Sequence, residues 1–202
     1  MNVNLLLQGI IIGFAIAAPV GPIGVLCIRR TLAQGLVAGL VSGLGAATAD
    51  AVYGCIAGFG LTLISSILVS QRVWLHCIGG FFLCYLGCKT FMARPVTATS
   101  AKEGSRMGAY TSTFFLTLTN PMTILSFTTV FAGLGIGSAS GSYAAAGVLV
   151  LGVFIGSALW WLLLSSGVSL FRTKFSLSGL QWVNRIAGIV IVTFGLMALM
   201  SL

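Results

Sequence analysis

This chain reads as an all-α polytopic membrane protein: six transmembrane helices as two inverted three-helix repeats, with spans 1 and 4 broken at prolines. Three observations predict that class. Of 202 residues, 58% are apolar and only 6% are charged. A soluble domain carries around 25% charged residues, and this chain has too few to cover a water-facing surface. The apolar residues fall into six stretches, each near the ~20 residues needed to cross about 30 Å of hydrocarbon. The third and sixth stretches also match at one fixed offset: Trp74, Ile78, Gly80 and Gly87 against Trp182, Ile186, Gly188 and Gly195.

Span 1 runs from about Asn4 to Ile28 and ends at Arg29-Arg30. Span 2 runs from about Gly35 to Gly60 and span 3 from about Val73 to Met92, completing a first repeat over residues 1–93. The connecting segment 94–107 holds Arg94, Lys102, Glu103 and Arg106. Span 4 (about Gly108 to Leu134), span 5 (about Tyr143 to Leu170) and span 6 (from about Leu180) form a second repeat over 108–202. The whole reads as one transmembrane domain, 1–202, with no room for a soluble one. Ala15-Ile16-Ala17 mimics a signal-peptide cleavage site. The first residues carry no Lys or Arg, however, so span 1 reads as uncleaved.

The formal net charge of +8 is spread over loops and helix ends, with no dense basic face, so nucleic acid is not an expected partner. Arg29, Arg30, Lys89, Arg94, Lys102, Arg106, Arg172 and Lys174 fall on one side of the alternating spans. Arg72 stands alone on the other side, and Arg185 can snorkel to the basic one. The positive-inside rule then places both termini outside the cytoplasm. A repeat of three spans crosses an odd number of times, so its two copies must be inverted. That architecture is common in alternating-access transporters, with the site near the midplane. Gly39 and Gly43 of span 2 match Gly152 and Gly156 of span 5, and Pro19 and Pro121 occupy spans 1 and 4.

Asp50 is the single carboxylate inside an apolar stretch; the other acid, Glu103, lies in the basic loop. A carboxylate at that depth is costly unless it faces a polar cavity, a partner or a transported ion. It shares a helical stripe with Gly35, Gly39, Gly43 and Ala46, and Tyr53 and Gly54 extend the face by a turn. Small residues at this spacing let helices approach closely, so Asp50 is expected to point inward. That glycine face suits internal packing or a homo-oligomer equally. Asp50 can pair with a substrate amine, cycle a proton, or hydrogen-bond the broken backbone of span 1.

In Ala18-Pro19-Val20-Gly21-Pro22-Ile23-Gly24, two prolines lack N–H donors and two glycines permit unusual dihedrals. A break is expected there, freeing carbonyls such as those of Phe14, Ala15 and Ala18 to line a polar cavity. Thr119-Asn120-Pro121 is the span 4 counterpart: Pro121 would free the Thr117 carbonyl, and Asn120 adds an amide at mid-depth. Asn120 suits a site and an interhelical hydrogen bond about equally. Trp160 and Trp161 read as packing residues or one wall of a cavity. His76 with Cys77, Cys84 and Cys88 outlines an imaginable soft-metal site, but core cysteines and an interfacial His fit better, so no metal, cofactor or disulfide is expected. No phosphate-binding Gly-x-x-x-x-Gly-Lys-Ser/Thr segment appears. No nucleophile–base pair or reactive cysteine pair appears either, so the chain is not expected to be an enzyme.

Taken together, the proline-rich first span, the Gly-rich second span ending in Asp50 and the mid-chain Asn120-Pro121 resemble the lysine-exporter (LysE/RhtB-type) family of bacterial amino-acid exporters, over nearly the whole chain. The resemblance implies a multi-pass protein of the bacterial cytoplasmic membrane that exports amino acids or close derivatives, driven by the proton-motive force. Carried over position by position, it marks Pro19, Gly21, Pro22, Asp50, Asn120 and Pro121 as functional residues; Tyr53 joins them from its place on the Asp50 face. Two departures bear on the substrate: Val20 interrupts the family's compact Pro-Gly-Pro, and Met122 stands where a basic residue often follows the second proline. The expected partners are an amino acid, protons and membrane lipid. Metal or inorganic cation efflux is the competing reading.

Overall fold

The computed structural model describes residues 3–19, 21–58, 71–93, 105–120, 123–124, 126–127, 130, 143–172 and 176–200. The segments with regular structure are helices: α1 (Val3–Ala17), α2 (Pro22–Gln34), α3 (Leu36–Gly58), α4 (Arg72–Phe91), α5 (Arg106–Leu118), α6 (Tyr143–Phe171) and α7 (Leu177–Met200). Four of them, α3, α4, α6 and α7, are each long and apolar enough to cross a membrane. The pair α1–α2 makes a fifth candidate span, bent by 82°. Pro121 and the side chain of His76 lie outside the described residues.

The bend follows from its residues. Ala18 closes α1 by donating its N–H to the Phe14 carbonyl at 2.9 Å. That carbonyl, expected to be free, is therefore taken, because the break begins one residue later, at Pro19. Pro19 has no N–H, so the Ala15 carbonyl loses its donor four residues on. Gly21 is extended (φ −105°, ψ −165°), and Pro22 opens α2 at its first position, where a missing N–H costs nothing.

Helix α2 runs past the expected end of span 1. Arg29 and Arg30 lie inside it rather than in a loop, and it stops at Gly35, whose φ of 97° favours glycine. The Gly35 N–H bonds the Thr31 carbonyl at 2.9 Å. Gly35 is thus the cap between α2 and α3, not the first member of the span 2 stripe. The Ser105 hydroxyl caps α5 by accepting the Gly108 N–H at 3.1 Å. Helix α5 ends at Thr119. The Asn120 carbonyl then accepts N–H groups from Thr123 and Ile124, at 3.1 and 3.2 Å, as helix resumes. The Thr117 carbonyl, expected to be free, accepts the Asn120 N–H at 3.2 Å, because the tight turn supplies a donor that the straight helix would have lost.

Lipid gives no hydrophobic drive between helices, so close approach of small residues holds a bundle together. Helix α1 packs on α6: a Cβ on Gly13 would overlap the Val153 carbonyl, and one on Gly156 the Ile10 carbonyl. Helix α4 packs antiparallel on α7, with Gly80 against Gly195 and Gly87 against Gly188. These are the glycines that match between spans 3 and 6. Helix α3 sits centrally, between α6 and α5, with Gly43 against Trp161 and Gly45 against the Tyr110 carbonyl. The outward faces of α4 and α7 present Trp74, Ile78, Phe81, Trp182, Ile186 and Ile189, a surface suited to lipid.

Candidate functional site

Both backbone breaks open onto one cavity of about 220 Å³. The α1–α2 break contributes Pro19, Gly21 and Pro22. The break after α5 contributes Asn120 with Thr117, Thr123 and Ser126, α3 contributes Asp50, and Trp161 and Phe194 complete the wall. Five of the seven residues expected at a site thus share one space. Tyr53 does not line it. Its hydroxyl donates to the Leu118 carbonyl and its ring stacks on Phe127, with centroids 5.4 Å apart. It braces the second break from one turn beyond Asp50.

Gly21 faces open space: a Cβ there would meet no atom within 4 Å. Its φ of −105° is open to any residue. Neither packing nor dihedral strain calls for glycine here; its missing side chain adds room to the cavity.

Asp50 is 3% exposed. The Ser157 hydroxyl donates to its Oδ2 at 2.6 Å, and the Trp161 indole N–H donates to the Ser157 oxygen at 3.1 Å. The chain Trp161–Ser157–Asp50 ties α3 to α6. Among the described residues it is Ser157, and not the span 1 backbone, that donates to Asp50; Gly39 and Gly43 bring α6 close enough for it to reach the carboxylate. Among the described residues Asp50 faces no cation in this cavity: the other lining residues carry apolar, hydroxyl, amide or indole side chains. The arrangement offers one acid to a ligand amine or a proton, with hydroxyls and an amide around it.

Arg30 is the residue that sequence reasoning misplaced. It is 9% exposed and donates to four neutral oxygens. Nη1 reaches Ser42 Oγ at 2.9 Å, the Ala109 carbonyl at 2.9 Å and Thr113 Oγ1 at 2.8 Å; Nη2 reaches Ser112 Oγ at 2.7 Å. It pins α2 to α3 and α5 one face away from the cavity. The signal available was Ser42, Ser112 and Thr113, three hydroxyl residues within otherwise apolar spans.

The cysteines are free, from buried Cys27 to exposed Cys88. Among the described residues no three His, Cys, Asp or Glu side chains converge.

The comparisons with known proteins agree with a transporter. A protein of Bacillus subtilis (strain 168) named "Putative amino acid efflux protein YcgF" is 28% identical over 198 residues, covering 95% of this chain and 93% of its own length. One of Escherichia coli (strain K12) named "Uncharacterized membrane protein YahN" is 26% identical over 175 residues, covering 84% of this chain and 77% of its own. No solved structure matches. The profile of the LysE type translocator family matches residues 14–202. The chain belongs to that family, which is one of transporters and not of enzymes.

Proposed function

We propose that the protein is a secondary exporter of amino acids or close derivatives, coupled to protons, that works by alternating access in the bacterial cytoplasmic membrane. The observation that carries this reading is the shared cavity: the α1–α2 break, the break after α5 and a buried acid converge on one space. Six spans in two inverted repeats account for the packing. The fourth span would comprise α5 and the helical residues after Asn120. Spans 3 and 6, matched in sequence, lie antiparallel at Gly80–Gly195 and Gly87–Gly188, as inverted copies must. With the positive-inside rule, both termini stand outside the cytoplasm.

In this reading Asn120 and the freed carbonyls of the first break hold the amino-acid head group. Asp50 pairs with its ammonium or exchanges a proton once per cycle. Pro19 and Pro22 keep the first break open, Gly21 gives room, and Tyr53 holds the second break in place; Pro121 is assigned to the site by its place after Asn120 in the sequence. One carboxylate with hydroxyls and an amide fits an ammonium group better than a metal ion, which would take several charged or soft donors.

The test is efflux of a panel of labelled amino acids from preloaded cells, with metal-sensitivity assays alongside. Export of one or more amino acids is expected. Export of none by well-inserted protein, with altered tolerance to a metal, would favour cation efflux on the same fold.

A further inference from the structure

A second cavity, of about 360 Å³, lies at the opposite end of α2, between that helix, the last turns of α4 and the start of α5. Arg29, Arg30 and Lys89 line it. Its remaining polar walls are neutral, among them Thr90, Ser105 and Ser112, and no carboxylate lines it among the described residues.

Arg29 and Arg30 are held in place by neutral partners among the described residues. Arg30 is buried among hydroxyls and a carbonyl, which take up its terminal N–H groups, and it meets no carboxylate among the described residues. Arg29 donates through Nε to Asn184 Oδ1 at 2.9 Å, and the Asn184 amide is itself fixed on the Ala93 carbonyl at 3.0 Å. That contact uses one edge of the guanidinium. The two terminal nitrogens, the fork that receives a carboxylate through two parallel bonds, make no hydrogen bond among the described residues. Adjacent like charges repel, and an anion between them would relieve the repulsion. Helix α2 also connects the cavities: Gly24 lines the first and Leu26 the second. Leu26 and Leu116, each 1% exposed, pack in one buried cluster with Ile23 and Leu86.

We propose that this cavity is an oxyanion site that takes the carboxylate of the outgoing amino acid before the molecule moves along α2 to Asp50. The proposal rests on the exporter reading and adds a polarity to it: carboxylate caught at the basic end, ammonium received at the acid.

The test is calorimetric titration of the purified protein in phosphatidylcholine nanodiscs. The probes are a panel of amino acids, each beside its carboxamide, and sodium phosphate; a second set of discs contains anionic lipid. One or more amino acids should bind, with the carboxamide weaker by about tenfold or more, as expected for losing a charge-assisted bond. Arg29→Gln with Lys89→Gln should weaken the amino acid to the carboxamide's level, while Arg29→Lys should keep most of the preference. Equal binding of acid and amide, unchanged binding by the double variant, or no amino-acid binding would overturn the proposal. So would binding of phosphate or anionic lipid alone, which would assign the site to a different anion. Efflux by wild type in cells decides the exporter reading separately. An exporter whose double variant keeps the wild-type half-saturating concentration would sink the anion site alone.

Discussion

At the scale of single residues, the glycines divide into those that make room and those that make contact. Gly21 stands against open space, so Gly21→Ala should leave stability within about 0.5 kcal/mol of wild type. Gly21→Leu should fold equally well and lose efflux, because its side chain enters the cavity. Thermal unfolding in detergent beside vesicle efflux checks both halves. Gly156 is the opposite case: a Cβ there would overlap the Ile10 carbonyl, so Gly156→Ala should destabilise by ~1–3 kcal/mol through overpacking. Ser157→Ala should cost ~1–3 kcal/mol by leaving buried Asp50 without its donor. A stability equal to wild type would mean that something else satisfies the carboxylate. Asp50, Pro19, Gly21, Pro22 and Asn120 were legible in the sequence because an acid, an amide or paired prolines are costly inside hydrocarbon. Ser157 was not legible. One serine in a long apolar helix is inexpensive, and its importance comes from lying opposite Asp50 once α3 and α6 have packed.

At the scale of elements, the two breaks and the glycine seams do different work. Pro19→Ala with Pro22→Ala would restore the N–H groups that a continuous helix needs and should straighten the 82° bend. The variant is expected to insert normally, to export poorly and to show an altered cleavage pattern around residues 18–21 under limited proteolysis. Wild-type export by this variant would remove the first break from the mechanism. Gly87→Val should weaken the α4–α7 seam, where an added Cβ would lie 2.9 Å from the Gly188 carbonyl; a lowered unfolding temperature is the readout. The end of span 1 was misread in the sequence for a physical reason. Arg29 and Arg30 mark the end of the span in the sequence, whereas a helix restarted at Pro22 has a further turn to run before Gly35 stops it. Buried Arg30 is tolerated because Ser42, Ser112 and Thr113 reach it from two other helices; the hydroxyls were visible in the sequence, but their convergence was not.

At the scale of the whole molecule, the apolar composition and the repeated glycines made the helical membrane class legible, and the family match agrees with it. What composition could not supply was the meeting of the breaks, since that depends on how α1 lies on α6 and α5 on α3. Topology can be checked directly. A phosphatase active only outside the cytoplasm should work when fused after Leu202 and stay silent when inserted in segment 94–107; the reverse pattern would invert the proposed orientation. The central claim is that Asp50, held between the two breaks, carries the transport step. Its most direct test is amino-acid efflux from proteoliposomes under an imposed pH gradient, comparing wild type with Asp50→Asn, whose amide oxygen can still accept from Ser157. The account predicts normal insertion and loss of pH-coupled efflux in the variant. Full, pH-coupled export by Asp50→Asn would contradict it.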